Sequence, residues 1–201
     1  MYKTVNIKLF KHLLHNRKLS TGPRNISNSI FSINFTSRRR EYIKKEIIGY
    51  SMEQMYSVVS DVENYVKFVP YVKKSNVHSF NLEKNNYKAD LIVGFSPLTE
   101  SYTSNVKIVP PSLVIAECDD GHLFKYLKNE WRFSPGLRDI PQSCVIDFIV
   151  LFEFKNVFHS QIANLFFDII CDQMEHAFHN EVQKRYGDPS IRNVILSSKK
   201  T

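Results

Sequence analysis

The sequence lacks the short motifs on which many catalytic sites are built. Only 6 of its 201 residues are Gly and only 3 are Cys. It contains no glycine-rich phosphate loop, no G-x-S-x-G, no C-x-x-C and no H-E-x-x-H. Such motifs supply phosphate cradles, serine nucleophiles, paired cysteine ligands and zinc sites. Enzymes of these classes therefore have no support in the sequence.

Long apolar runs and paired cysteines are missing as well. No run of about 20 apolar residues occurs, so the sequence predicts no transmembrane helix. Cys118, Cys144 and Cys171 are odd in number and widely spaced, which gives neither a metal-binding nor a disulfide spacing. We expect three small buried apolar side chains in a reducing compartment.

Acidic residues are absent from the first 40 positions, whereas nine Lys and Arg occur there. Without these nine, the 27 Lys and Arg fall to 18 against 20 Asp and Glu, so residues 41–201 carry a net charge of −2. The overall charge of +7 therefore originates in the N-terminal segment. A nucleic-acid surface needs Lys and Arg clustered on the folded domain, so no nucleic-acid partner is expected.

The N-terminal segment has the composition of a targeting sequence. Residues 1–37 are rich in Lys, Arg, Asn and Ser, and Val5, Leu9 and Leu13 repeat at helical spacing. A basic amphipathic helix without acids is typical of a mitochondrial transit peptide. We interpret 1–37 as transit peptide and linker, 38–187 as the folded domain, and 188–201 as a C-terminal tail. A disordered basic tail without a targeting role is the alternative for residues 1–37.

The longest helical pattern lies near the C-terminus, where residues 157–186 contain no Pro or Gly. It predicts a helix over about 160–185, with Ser160 as N-cap and Gly187 beyond its end. The first half is apolar over roughly half of the helical wheel, wider than the ~100° stripe of a surface helix. Such a helix is either deeply buried, or it packs on a sheet and also lines a cavity or touches a membrane. The apolar positions are Ile162, Ala163, Leu165, Phe166, Phe167, Ile169 and Ile170.

The middle of the chain has the pattern of consecutive strands. A strand at 39–48 is followed by a helix with Ser51 and Gln54 as a capping box, and by a short helix at 61–68. The predicted fold class is α+β, with a curved antiparallel sheet of about seven strands wrapped around the long C-terminal helix. The aromatic inward faces of the sheet either interdigitate or enclose an apolar cavity. Further strands are predicted at 71–82, 87–93, 100–109, 113–118, 123–134 and 143–154, with an apolar loop at 94–98.

Polar side chains offer few catalytic candidates. Asp172, His176 and His179 share one helix face and could hold a metal together, although a solvated polar face is the commoner meaning of this spacing. Asp147 and Glu153 lie on the predicted solvent side of the 143–154 strand. We therefore assign no catalytic residue and no metal ligand.

Four stretches are distinctive together: MYSVVSDVENYVKFVP at 55–70, VGFSPLTESYTS at 93–104, residues 123–136 ending in WRFSPG, and LFFD at 165–168. They resemble the coenzyme Q-binding proteins of the START, or polyketide-cyclase-like, superfamily, and the resemblance extends over about residues 38–186. It implies a helix-grip fold with a lipid cavity that binds coenzyme Q (ubiquinone) as a ligand and uses no catalytic cofactor. It also implies peripheral attachment to the matrix side of the mitochondrial inner membrane, with enzymes of coenzyme Q biosynthesis or respiratory complexes as candidate partners.

The resulting hypothesis is a non-enzymatic carrier that holds ubiquinone and supports its synthesis and its use in respiration. Two other functions stay open: a cyclase- or aromatase-like enzyme using the same cavity, and a protein-binding module associated with the ribosome. Phe167 is a candidate membrane contact. For each wall residue, plain core packing is the alternative role. The expected walls are Trp131, Phe133, Phe148, Phe152, Leu165, Phe166, Ile169 and Ile170, and the expected mouth is Phe68, Val69, Pro70, Phe95, Pro97 and Leu98.

Overall fold

Alternating apolar and polar residues build one antiparallel sheet of eight strands in the computed structural model. The structure describes residues 39–78, 80–81, 83–95, 98–118, 121–122, 124–155 and 157–201, without the side chains of 95, 98 and 157–169. The described residues belong to one compact unit. The strands are β1 (Arg39–Ile48), β2 (Val72–Val77), β3 (Asn86–Phe95), β4 (Leu98–Val109), β5 (Leu113–Cys118), β6 (Phe124–Pro135), β7 (Cys144–Phe154) and β8 (Val194–Lys200).

The strand order across the sheet is β2-β3-β4-β5-β6-β7-β1-β8, and all neighbouring pairs are antiparallel. Strands β2 to β7 follow one another both along the chain and in space, as short turns between successive strands require. Strand β1 comes first in the chain but lies between β7 and β8. The predicted α+β class, with an antiparallel sheet and a long C-terminal helix, is confirmed.

Strand β7 shows how the sheet acquires one buried face. Its burial alternates at every residue, and Asp147 and Glu153 lie on the less buried side, as predicted. On the opposite face, Asp147 lies 3.3 Å from Lys45 and Glu153 lies 3.1 Å from Lys125. The buried residues of β7 are Cys144, Ile146, Phe148, Val150, Phe152 and Phe154.

Three α-helices accompany the described strands: α1 (Met52–Val59), α2 (Tyr65–Phe68) and α3 (Val157–Tyr186), with a 3₁₀ helix at Val62–Asn64. Helix α1 begins with the predicted capping box. The Ser51 side chain accepts the Gln54 N–H, and the Gln54 side chain accepts the Ser51 N–H at 2.9 Å. These bonds satisfy backbone donors that have no partner within the helix.

Helix α3 has 30 residues and is about 45 Å long. Gly187 follows it with a φ of 84°, and its N–H donates to the Gln183 carbonyl at 2.8 Å, so the predicted glycine stop is confirmed. The predicted N-cap at Ser160 is wrong, because α3 begins at Val157 and includes Ser160. No Pro or Gly stands between these two positions to prevent the extra turn. Among the described residues, no helix is long and apolar enough to cross a membrane.

Two segments differ from the sequence expectations. Gly94, Phe95 and Leu98 were expected in an apolar loop but belong to β3 and β4, where Phe95 pairs with Leu98. Residues 194–200 were expected in the tail but form β8, which pairs with β1. All seven residues of β8 are exposed, so this strand lacks the alternation by which strands are recognised. The limits of the targeting segment and of the domain stay predictions.

Candidate ligand cavity

A cavity of about 220 Å³ lies between the inward face of the sheet and α3. Strands β3 to β7 line it on one side, α3 on another, and the segment after α1 on a third. The lining is mainly aliphatic and aromatic. Its described residues are Val62, Tyr65, Val69, Pro70, Tyr71, Val72, Leu91, Val93, Glu100, Tyr102, Ser104, Val106, Val114, Ala116, Phe124, Leu127, Asn129, Trp131, Val150, Phe152, Phe154, Ile170, Cys171, Met174 and Phe178.

The strand register places the cavity residues in rows across the sheet. Asn129 of β6 stands between Ala116 of β5 and Val150 of β7, and all three line the cavity. In the next row, Trp131 stands opposite Val114. Side chains two residues apart on a strand lie on the same face of the sheet. Each strand with regular alternation of inward and outward residues therefore contributes one residue to each row of the cavity wall.

Aromatic rings make one side of the cavity stiff. Trp131 is only 2% exposed, and its ring centroid lies 4.1 Å from that of Phe148 and 4.9 Å from that of Phe178. Near β4, the rings of Tyr102 and Phe124 meet edge to face with centroids 6.2 Å apart. Such ring pairs stabilise by about 0.5–1.5 kcal/mol beyond the area they bury. The cavity wall therefore has a defined shape before a ligand binds.

The segment after α2 closes another side of the cavity in a strained conformation. Tyr71 has a φ of 68°, a left-handed value that costs a non-glycine residue about 1–3 kcal/mol. Its hydroxyl donates to Gln173 Oε1 at 2.6 Å, and its carbonyl accepts the Gly94 N–H at 2.8 Å. These bonds join the segment to α3 and to β3, which holds Tyr71 against the cavity.

Several polar groups face this apolar space. Burial is the main cause that raises the pKa of Tyr102, so its phenol stays protonated and able to donate a hydrogen bond. Glu100 and Ser104 are buried on the same strand. The Oδ1 atom of Asn129 is buried without a hydrogen-bond partner among the described atoms. The described lining contains no His, Lys or Arg side chain.

Next to the cavity, α3 is joined to β1 by a largely buried cluster of ionisable groups, here called the Lys44 cluster (Lys44, Glu46, Glu175 and His179). Lys44 Nζ donates to Glu175 Oε1 and lies 3.1 Å from Glu46 Oε2. His179 Nε2 lies 2.9 Å from Glu46 Oε1, and the Tyr42 hydroxyl donates to Glu175 Oε2 at 2.8 Å. Lys44, Glu46 and Glu175 are each less than a tenth exposed.

Burial and charge pairing have opposite effects on the pKa values of Glu46 and Lys44. Burial opposes ionisation of Glu46, but hydrogen bonds and charges from His179 and Lys44 outweigh it and lower the pKa of Glu46. Burial likewise opposes the charge of Lys44, but the two carboxylates outweigh it and raise the pKa of Lys44. Both groups are therefore ionised at neutral pH, as paired buried charges should be.

The Lys44 cluster also contains three groups of the kinds that bind metals. Ligand atoms of Glu46, Glu175 and His179 lie within 4.8 Å of one another. The Lys44 ammonium already lies between the two carboxylates and supplies the positive charge that a metal ion would otherwise bring. We therefore assign no metal here. The helical set considered from sequence is not assembled, since Asp172 instead pairs with Lys200 at 2.9 Å.

The residues proposed from sequence fall into three groups. Val69, Pro70, Trp131, Phe152 and Ile170 line the cavity. Others belong to the core instead: Phe133 and Phe148 are buried outside the lining, and Phe68 packs against Tyr65 and Phe178. The remainder lie outside the described side chains, namely Phe95, Pro97, Leu98, Leu165, Phe166, Phe167 and Ile169. Ligand contact by any of these residues stays a prediction.

Sequence reasoning missed the contribution of β4 to the cavity. Glu100, Tyr102, Ser104 and Val106 occupy alternate positions of this strand and all line the cavity. The alternation itself was available in the sequence. Three of the four are polar, however, so the strand did not reveal which of its faces is inward. Asn129 was overlooked for the same reason.

A sheet that packs its inward face on one long C-terminal helix, with an apolar cavity between them, is the helix-grip arrangement. A START superfamily protein from Mycobacterium smegmatis has the same fold, with a TM-score of 0.60 at 16% identity over 73% of this chain and 99% of that chain. At this identity the likeness concerns the fold alone.

Sequence comparison gives the family. The family described as polyketide cyclase/dehydrase and lipid transport matches residues 48–179. A coenzyme Q-binding protein of Drosophila melanogaster, named COQ10, mitochondrial, is 65% identical over 164 residues, which are 82% of this chain and 67% of that protein. A COQ10 homolog B of Xenopus laevis, also named a mitochondrial coenzyme Q-binding protein, is 45% identical over 77% of this chain and 63% of its own length. The chain therefore belongs to the polyketide cyclase/dehydrase and lipid transport family, within the group of the coenzyme Q-binding proteins.

Proposed function

We propose that the protein binds coenzyme Q (ubiquinone) in the cavity between the sheet and α3 and acts as a carrier without catalysing a reaction. The observation that carries the proposal is the cavity itself, whose described lining is largely aliphatic and aromatic and has no basic side chain. Relatives 65% and 45% identical to this chain are named coenzyme Q-binding proteins. This chain spans about two thirds of their length, so their binding activity is carried over here as a proposal.

The size of the cavity decides how much of the lipid it holds. Its volume of about 220 Å³ is below the ~300–1,000 Å³ of typical small-molecule sites. A single substituted ring and the first part of a tail fit such a space, whereas a long polyisoprenoid chain does not. The remainder of the tail then lies outside the described cavity, along the apolar first half of α3 or in the membrane.

The energy of binding comes mainly from removing the lipid from water. Each buried CH₂ contributes about 0.8 kcal/mol, so a five-carbon isoprenoid unit contributes about 4 kcal/mol. Enclosing the ring and one unit is enough to hold the lipid while leaving most of the tail free to enter a membrane. A carrier of this kind supplies ubiquinone to enzymes of its synthesis or to the respiratory electron transport chain.

The N-terminal segment supports a mitochondrial location. Residues 1–37 are basic and free of acids, and the relatives are named mitochondrial. We place the protein peripherally on the matrix side of the mitochondrial inner membrane, with Phe167 as a membrane contact. Replacing Phe167 by Asp is expected to weaken sedimentation with liposomes, and unchanged sedimentation would contradict this contact.

A cyclase- or aromatase-like reaction in the same cavity is the second candidate. The buried Glu100 carboxyl and the protonated Tyr102 phenol are the groups that favour it. Acid–base catalysis also needs a group poised to take up a proton near neutral pH, most often His. Recovery of the bound lipid without chemical change after long incubation would favour the carrier, and turnover would favour the enzyme.

In the direct test, the full chain is expressed in a quinone-making bacterium and purified without detergent. Bound lipids are extracted with organic solvent and identified by mass spectrometry. We expect ubiquinone near one molecule per chain. Replacing Ala116 by Phe fills the cavity with a ring and should remove most of the quinone, because Ala116 lies in its wall.

The matched control replaces Lys107 by Phe. Lys107 is exposed on the outer face of β4 and lies next to Ile115, the residue before Ala116. This variant adds the same ring to the same region and should keep its quinone. A folded wild-type protein that contains no quinone and takes none up from ubiquinone-loaded vesicles would overturn the proposed function.

A further inference from the structure

The side chain of Asn129 is an exception in the wall of the cavity. Its two neighbours across the sheet are Ala116 and Val150, and the inward positions before and after it on β6 are Leu127 and Trp131. All four neighbours are apolar. An aliphatic residue at position 129 would continue the wall without a break.

The Asn129 side chain is also incompletely satisfied. Its Oδ1 atom is buried and has no hydrogen-bond partner among the described atoms. More than about 90% of buried polar groups in folded proteins have such a partner. Leaving one unpaired costs about 1–3 kcal/mol. A buried amide that faces a cavity at this cost is best explained by a partner that arrives with the ligand.

The unpaired atom is an acceptor, so its partner must be a hydrogen-bond donor. The ring oxygens of the oxidised quinone only accept, whereas the reduced ring, the quinol, carries hydroxyls that donate. The isoprenoid tail carries no polar atom, so a hydrogen bond at this position can come only from the ring. We propose that Asn129 Oδ1 accepts a hydrogen bond from a ring hydroxyl of the reduced headgroup, so that the headgroup enters first. This inference rests on the proposed function.

The register of β4 gives the direction in which the tail then leaves. Val106 shares the row of Ala116, which pairs with Asn129, whereas Glu100 pairs with Val93 at the other end of the cavity. Six residues separate Val106 from Glu100, roughly 20 Å along a strand. Val93 in turn pairs with Val72, which follows the strained segment at Tyr71. The tail therefore leaves past Val72 and Val93.

The test compares a ligand that has ring oxygens with one that lacks them. Decylubiquinol, kept reduced under anaerobic conditions, is the first, and decylbenzene, its counterpart without ring oxygens, is the second. Trp131 is the single Trp of the sequence and lies in the cavity wall, so a change in its fluorescence reports binding of decylubiquinol, and decylbenzene is measured by competition. The full chain is used, with bound lipid first removed by solvent extraction and refolding verified by circular dichroism.

Asn129→Leu should lower the affinity for decylubiquinol about ten- to hundredfold, because a ring hydroxyl loses its acceptor. Affinity for decylbenzene should stay within about threefold of wild type. The ligand-free variant should melt at a higher temperature than wild type, since an unpaired amide has been removed. Asn105→Leu makes the same change at an exposed position of β4 and should alter neither affinity.

Several results would overturn the inference. One is equal affinity of Asn129→Leu and wild type for decylubiquinol; another is a parallel loss for both ligands, which would indicate a packing role. A loss confined to Tyr102→Phe would place the headgroup at the other end of the cavity. If Asn129→Leu does not fold, Asn129→Ala is measured by the same criteria. A wild-type protein that binds neither ligand would remove the proposed function itself, and this inference with it.

Discussion

Helix α3 meets the sheet through two faces of opposite character. One face presents Ile170, Cys171, Met174 and Phe178 to the cavity. The other presents Glu175 and His179 to β1, where buried charges and hydrogen bonds hold it. Close packing is needed to fix a helix on a sheet, but empty space is needed to admit a ligand. Because the Lys44 cluster fixes α3 on the sheet, the neighbouring face of α3 does not have to pack closely and can border a cavity.

The largest expected effect comes from breaking the Lys44 cluster. Glu175→Ala removes the acceptor of the Tyr42 hydroxyl and one of the two carboxylates that pair with the buried Lys44 ammonium. Removal of one partner of a buried ion pair costs about 3–5 kcal/mol. Urea unfolding of the ligand-free protein should show this loss as a lower midpoint.

The adjacent residue of β1 supplies the control. Lys45 pairs with Asp147 at 3.3 Å on the exposed face of the sheet, so Asp147→Ala breaks a pair of the same type in water. Exposed pairs contribute about 0–1 kcal/mol. Equal losses for Glu175→Ala and Asp147→Ala would show that the Lys44 cluster does not hold the helix.

A smaller effect on the free energy of unfolding is expected from shortening one valine in the packed core and one in the cavity wall. Val182 of α3 is fully buried, whereas Val114 of β5 faces the cavity. We expect Val182→Ala to cost about 2 kcal/mol and Val114→Ala about 1 kcal/mol, because a side chain beside empty space loses fewer contacts. Thermal or urea unfolding of both variants measures the difference. Equal costs would mean that the cavity wall is as tightly packed as the core.

The smallest predicted effect is a loss of stability at low pH. Glu46 has its pKa lowered below 4.5 by His179 and Lys44 against the opposing influence of burial. A carboxylate with a lowered pKa in the folded state stabilises the fold above its unfolded pKa, and this contribution disappears as pH falls through the folded pKa. Stability should therefore decline below about pH 4.5.

A Glu46→Gln variant isolates this contribution. It cannot ionise, so part of the decline in urea midpoint between about pH 5 and pH 3 should disappear. Asp139→Asn, a change at an exposed loop residue, is the matched control and should retain the wild-type decline. An identical pH profile for wild type and Glu46→Gln would contradict the role given to Glu46.

Local signals were sufficient for most elements. The capping box at Ser51, the glycine stop at Gly187 and the alternation of β7 each depend on residues within a few positions, and each prediction is confirmed. Asn85, which lies between the predicted strands 71–82 and 87–93, has a φ of 48°, a value that Asn tolerates in turns. Such features follow from the chain itself and need no knowledge of the fold.

The features that distinguish the two faces of α3 were not predictable in this way. Lys44 and Glu46 stand at inward positions of β1, but their partners lie about 130 residues further along the chain. A charged residue at an inward position is expected to be exposed unless its partner is known. Strand β8 and the cavity face of β4 depend equally on neighbours distant in sequence.

The position of β1 has a consequence for the order of assembly. Its two neighbours, β7 and β8, begin at Cys144 and Val194. During synthesis at about 5–20 residues per second, β1 is made many seconds before either neighbour. Its backbone donors and acceptors remain open to water or to chaperones throughout that interval, and the sheet closes only when nearly the whole chain is available. The pairing of this N-terminal strand is therefore among the last steps that synthesis permits.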